Sequence, residues 1–286
     1  PVFNTVLLSL VMFFGLVSLP AFAAEVENVQ IGTTTISGTS QTIAITPVTD
    51  NKSILIFTLT TQSTASGPQD THLRGQLSCI AGSCDSIDFK RYGSGDSVII
   101  RWQVIEFTDA SLMTVQRGIV TQSSMAGSPP STTISTVVDS AKSFVMLSEF
   151  VHGTVTSNDD FTRGQINSSG NLVITVGEKK TLATEAEIAL KVIEYQDANI
   201  KTGDISFSTY DASKTIAIST VDLDKSLLVY NYYSTGTSSD NPVCQNLVSG
   251  LISDATTLQF DRGCAGHNGE IHLSWFAIEF NDASTV

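Results

Sequence analysis

Charge is scarce in this sequence, and positive charge scarcest. Only 15% of the 286 residues are charged, with 15 Lys and Arg against 28 Asp and Glu, for a net charge of −13. Such a field repels phosphate backbones and anionic lipid, which argues against nucleic-acid binding and against peripheral membrane docking. Also missing are the spacings that announce chemistry: there is no Gly-x-Ser-x-Gly elbow, no His-Glu-x-x-His pair, no phosphate-cradling glycine loop and no EF-hand loop. The histidines, His72, His152, His267 and His272, do not recur at equivalent places. The expectation is a protein that is not an enzyme, with no catalytic residue to nominate and no cofactor. Beyond the first two dozen residues nothing is long and apolar enough to span a bilayer, and no window carries a helical stripe. Hydrophobic residues make up 41%, so the chain can bury cores and is not a disordered tail.

The beginning of the chain is set apart. Val6 to Val17 is an uncharged apolar run that breaks at Pro20 and ends in Ala21-Phe22-Ala23-Ala24, a small-x-small pattern. Residues 1–23 read as a secretory signal peptide cleaved after Ala23; a retained membrane anchor is the rival reading. Export places the protein outside the cell or at its surface, with no membrane attachment once the signal is removed. It also suits the four cysteines. Cys79 and Cys84 flank a turn-like Ile80-Ala81-Gly82-Ser83, and Cys244 and Cys264 lie twenty apart. Disulfides 79–84 and 244–264 are favoured over metal ligation, because there is no Cys-x-x-Cys pair with a histidine at ligand spacing.

Self-similarity organises the remainder. An opening phrase recurs as Val29-Gln30-Ile31-Gly32, Val115-Gln116-Arg117-Gly118 and Ile200-Lys201-Thr202-Gly203. An apolar run launched by Lys-Ser recurs at Lys52-Ser53-Ile54-Leu55-Ile56, Lys142-Ser143-Phe144-Val145-Met146 and Lys225-Ser226-Leu227-Leu228-Val229. A closing phrase recurs at Ile105-Glu106-Phe107, Ile193-Glu194-Tyr195 and Ile278-Glu279-Phe280. Lys52 to Lys142 is 90 residues and Lys142 to Lys225 is 83, too long for a solenoid turn and the size of a small domain. Short β-branched segments separated by Ser, Thr, Gly, Asn and Asp predict an all-β chain of three tandem antiparallel β-sandwich repeats, 24–112, 113–198 and 199–286. In the first repeat the strands fall near 28–36, 41–46, 53–60, 72–78, 86–90 and 97–107.

The closing strand alternates. Ile100, Trp102 and Val104 share one face, as do Ile188, Leu190 and Val192, and Leu273, Trp275 and Ala277; Trp102, Leu190 and Trp275 are expected to anchor the three cores. The other face, with Arg101 and Gln103, Ala189 and Lys191, Ser274 and Phe276, is expected to be wet. The Lys-Ser strand is apolar on both faces at its start, which predicts a central strand. Glu106, Glu194 and Glu279 sit on core-face parity, where a carboxylate needs a partner. Structural ion pairs with Lys52, Lys142 and Lys225 are expected, with Arg74 and Arg163 as further candidates; the third copy has Ser249 there. Acidic loop residues Asp70, Asp159, Asp160 and Asp240 are candidates for calcium, though ordinary turn chemistry explains them as well. Asn51-Lys52-Ser53 and Asn167-Ser168-Ser169 are formal glycosylation sequons.

The Val-Gln-x-Gly opening, the Lys-led apolar strand and a closing strand with Trp102 or Trp275 resemble H-type-lectin-like repeats in layout. That resemblance implies a small antiparallel sandwich and sugar binding, but no binding residue can be placed from it, and the middle copy has Leu190 in place of the tryptophan. Two functions are expected. One is a secreted structural or assembly protein, a subunit of an extracellular filament, fibre, sheath or surface layer, partnered by itself or by another extracellular protein. Strand addition at an exposed edge is a route to such assembly, with Val26 to Ile36 as a candidate strand if it leaves its own domain. The alternative is a cell-surface adhesin or lectin-like glycan-binding protein.

Overall fold

The computed structural model describes residues 26–61, 72–93, 97–122, 136, 138–150, 161–176, 186–235, 247–263 and 269–281. The leader, Cys244, Cys264, His152, His267 and the acidic loop residues 70, 159, 160 and 240 lie outside the described residues. Within them the fold is all-β, with every paired strand antiparallel and no helix beyond two 3-10 turns, Asp50–Lys52 and Leu223–Lys225. Among the described residues no helix is long and apolar enough to cross a membrane.

The strands are β1 (Val26–Ile36), β2 (Ser40–Thr49), β3 (Ser53–Thr61), β4 (Arg74–Ile80), β5 (Ser83–Lys90) and β6 (Val98–Phe107). Then come β7 (Met113–Gln122), β8 (Ser143–Phe150), β9 (Thr162–Ile166), β10 (Leu172–Val176) and β11 (Ala186–Tyr195). The last are β12 (Ala198–Phe207), β13 (Ser213–Ala217), β14 (Ser226–Ser234), β15 (Val248–Asp254), β16 (Thr257–Arg262) and β17 (Ile271–Phe280). The sheet orders are β1-β6-β3 with β2-β5-β4, then β7-β11-β8 with β10-β9, then β12-β17-β14 with β13-β16-β15. One strand order thus appears at the start of the chain and again at its end, and the middle set matches it wherever its strands are described. The sets follow one another closely: only Gln196 and Asp197 separate β11 from β12.

Local sequence explains the elements. In β6 the alternation of Val98, Ile100, Trp102 and Val104 with more exposed neighbours drives one face onto the core. The β4–β5 hairpin turns on Ala81 and Gly82, both at positive φ (51° and 86°), the geometry a two-residue hairpin turn demands. The Cys79–Cys84 disulfide clips that hairpin on either side of its turn. β1 stays paired with β6 from Val26 to Ile36, with one bulge, so this segment is a member of its own sheet.

Two expectations change. The Lys-Ser strands β3, β8 and β14 lie at the edge of their sheets; the closing strands β6, β11 and β17 are central. The two-faced apolarity has another cause, the second cover that neighbouring sets provide: Ile54 and Val229 pack against the core of the middle set. Likewise the second face of the closing strand is wet only in β6. Ala189, Lys191, Ser274 and Phe276 are all buried. The middle core runs without a break into Phe276 and Ile278 of β17, whereas the first and third sets also have cores of their own.

Candidate interaction surface

The closing glutamates share one partner type, and it is backbone. Glu106 Oε1 accepts from Thr49 N–H at 2.8 Å, Glu279 Oε1 from Asp222 N–H at 2.8 Å, and Glu194 Oε1 from Asp139 N–H at 3.4 Å. Each donor lies three residues before the recurring lysine, so the carboxylate closes the turn that launches the edge strand. Ser53 and Ser226 support it, their hydroxyls donating to Thr49 O and Asp222 O at 2.6 Å. The lysines diverge. Lys52 Nζ lies 3.7 Å from Glu106 and also bonds Glu27, which raises its pKa. Lys142 Nζ instead donates to Ala198 O at 2.5 Å, and Lys225 lies 3.8 Å from Asp222. Glu279 takes Lys201 at 3.1 Å as its cation; burial opposes its charge, but the Asp222 N–H and Lys201 hold it below the usual carboxylate range.

The opening phrase also acquires a physical meaning. Gln30 clamps the backbone of Thr46 at two points, both 2.8 Å, and Gln116 does the same to Thr136 at 2.9 and 3.0 Å. Gly32 and Gly203 pair across the sheet with Trp102 and Trp275. A Cβ at Gly32 would stand 2.3 Å from the Trp102 ring and one at Gly203 2.7 Å from the Trp275 ring, so glycine is the space the indole occupies. Opposite Leu190 the corresponding distance at Gly118 is an ordinary 3.6 Å. Trp102, Leu190 and Trp275 are all buried.

Arg74 and Arg163 belong to a feature the sequence did not announce, the junctions between strand sets. At the first junction Arg74 Nε lies 3.0 Å from Glu187 of β11, which Lys90 also contacts. Ser148 of β8 accepts from Gly75 N–H at 3.1 Å and donates to Gly75 O at 3.0 Å. Arg117 bonds the Asp50 carboxylate and the carbonyls of Asp50 and Ser53, and Lys191 Nζ donates to Leu55 O at 2.6 Å. Edge strands β3 and β4 thus give their free backbone groups to side chains of the next set. Burial, with Arg117 beside it, pushes Lys191 down to about 7.

The second junction repeats the first with different side chains. Asn231 Oδ1 accepts from Gly164 N–H at 2.6 Å and Asn231 Nδ2 donates to Val145 O at 3.3 Å. Arg163 lies over the Tyr233 ring at 5.7 Å, and Phe161 stacks on Tyr232 at 5.1 Å. Ser148 and Asn231 each stand six residues after their recurring lysine, and Gly75 and Gly164 hold the same place in Arg-Gly-Gln. The outer face of β1-β6-β3, which no other described strand set covers, carries an open groove of about 570 Å³ lined by Ile31, Thr33, Ile56, Thr58, Arg101 and Gln103.

Two clusters resemble chemistry and are better explained otherwise. His272 contacts Ser206 at 2.8 Å through Nδ1 and Glu270 at 3.3 Å through Nε2. Ser206 and His272 are register partners across β12 and β17, with the imidazole stacked on Tyr233 at 4.9 Å, an ordinary cross-strand pairing. Asp50, Cys79 and Cys84 approach one another, but the sulfurs are bonded together and offer no thiolate. Comparison with protein-family models and with curated proteins finds no match.

Proposed function

We propose that this chain is a secreted structural protein, a subunit of an extracellular filament, fibre, sheath or surface layer, made of three copies of one β-sandwich at 24–112, 113–198 and 199–286 behind the 1–23 leader. The observation that carries this reading is the recurrence of one lock at both junctions, Gly75 with Ser148 and Gly164 with Asn231. Buried hydrogen bonds at both junctions, ion pairs at the first and a two-residue connection at the second join the copies stiffly, as a lattice-forming unit requires and as independent swivelling modules do not. The recurring carboxylates serve backbone turns, which suits scaffold and assigns no reaction. Negative-stain microscopy of the purified mature protein tests it: polymer or lattice without added ligand is the expected result.

The second reading is an adhesin or lectin-like protein, favoured by the sandwich-like sheets and the layout shared with H-type-lectin-like repeats. Trp102 and Trp275, the side chains that would suggest sugar stacking, are buried against Gly32 and Gly203. A monodisperse monomer retained on a glycan array would establish this second reading in place of the first.

A further inference from the structure

The two internal junctions point the same way along the chain. In each, the outer edge of one copy, β3 and β4 or β8 and β9, meets the outer sheet face of the next. A relation of this kind between like units is head-to-tail, and among the three described strand sets it leaves one edge and one face unmatched. In the third set this is the β15 edge, where Ser249-Gly250-Leu251 takes the place of Arg74-Gly75-Gln76. In the first set it is the outer face of β1-β6-β3, where Thr58 stands six residues after Lys52, the place of Ser148 and Asn231.

We propose that these halves are complementary, and that the β15 edge of one copy of this chain docks on the β1-β6-β3 face of a second copy. This deepens the assembly reading and rests on it. Three observations support a copy of the chain as the occupant. First, the interface that would form continues one the chain already makes twice. Second, both surfaces carry exposed apolar side chains: Ile31 is 72% and Ile56 38% exposed on the face, and Leu247 46% and Leu251 47% on the edge. Third, the ion pair of the first junction, Arg74 with Glu187, is absent from both surfaces: the arginine place holds Ser249 and the glutamate place, seven residues before the closing glutamate, holds Ile99. An arginine facing Ile99, or a glutamate facing Ser249, would leave a buried charge alone; neither occurs.

The Tyr230 hydroxyl already hydrogen-bonds at Gly250 and donates to Val248 O at 3.0 Å. The docking contact therefore draws on Leu247 and Leu251 against Ile31 and Ile56, with Thr58 and Gln103 placed to meet edge backbone groups as Ser148 and Lys191 do.

The test uses mature full-length protein, Thr58→Arg and Leu251→Arg, both changes being at exposed positions. Mass photometry and sedimentation velocity are run on each alone and on an equimolar mixture. The wild type should form species larger than one chain as concentration rises. Each variant should dissociate at concentrations at least about tenfold higher. The mixture should stop at dimers, because one intact face and one intact edge remain between two chains. Wild-type assembly that both variants share unchanged, or a mixture that grows as the wild type does, overturns this interface and leaves the assembly reading standing. A wild type that stays monomeric up to roughly 100 μM overturns both.

Discussion

The first and second strand sets share their recurring phrases and, wherever the strands of the second are described, their strand order, yet one sheet face is wet in the first and buried in the second. Gln103 of β6 is exposed, while Lys191 at the same place in β11 is buried with its ammonium on Leu55 O. The difference comes from position in the array. The face of the second set covers the β3–β4 edge of the first, whereas the face of the first covers no described edge. Repetition of a strand order therefore does not mean repetition of an environment, and side chains on the outer face record which neighbour each set has.

The comparison is tested most severely at the core anchors. Trp102→Ala should lower the unfolding free energy by ~3–5 kcal/mol in a denaturant titration. Gly32→Ala drives a methyl into that same indole and should cost ~1–3 kcal/mol, whereas Gly118→Ala, opposite Leu190, should be close to neutral. Equal effects at Gly32 and Gly118 would remove the tryptophan as the reason for the glycine.

Much of this was legible in the chain. The strand positions of the first set, the lack of any α-helix among the described residues and the Cys79–Cys84 hairpin follow from alternation, turn residues and spacing. What the sequence concealed was the second cover. Ile54, Phe144 and Val229 read as a central strand because an edge strand buried by a neighbouring set has the same two-sided apolar pattern. Arg74 and Arg163 looked like partners for the closing glutamates because their real contacts lie in the next set. The missing signal was available in one place: Ser249 replaces the arginine only in the third copy, whose β15 edge meets no described strand set.

Acidity gives a second test. Lys191, buried in the second set, titrates at about 7, against its ordinary 10.5 when unfolded. Its folded pKa is lowered, so between those values the unfolded chain binds more protons, and stability rises with pH through that window and levels off below it. From pH 7 to pH 9 the gain should be roughly 2 kcal/mol. Denaturation midpoints at pH 7, 8 and 9 measure it. Lys191→Met should flatten the slope, and Gln103→Met in the first set should leave it untouched. A slope that survives Lys191→Met would assign the titration to another group.

The smallest effect separates a used lock from an open one. Ser148 holds both backbone groups of Gly75, so Ser148→Ala strands an edge amide at the first junction and should cost about 1 kcal/mol. Thr58 occupies the same place on the open face, so Thr58→Ala should change the stability of the isolated chain by less than about 0.5 kcal/mol. Hydrogen exchange sharpens the contrast, because the Gly75 amide should lose protection in Ser148→Ala and keep it in Thr58→Ala. If both substitutions behaved alike, the Ser148 contact would be incidental to the junction, and the equivalence of internal and terminal faces would lose its energetic basis.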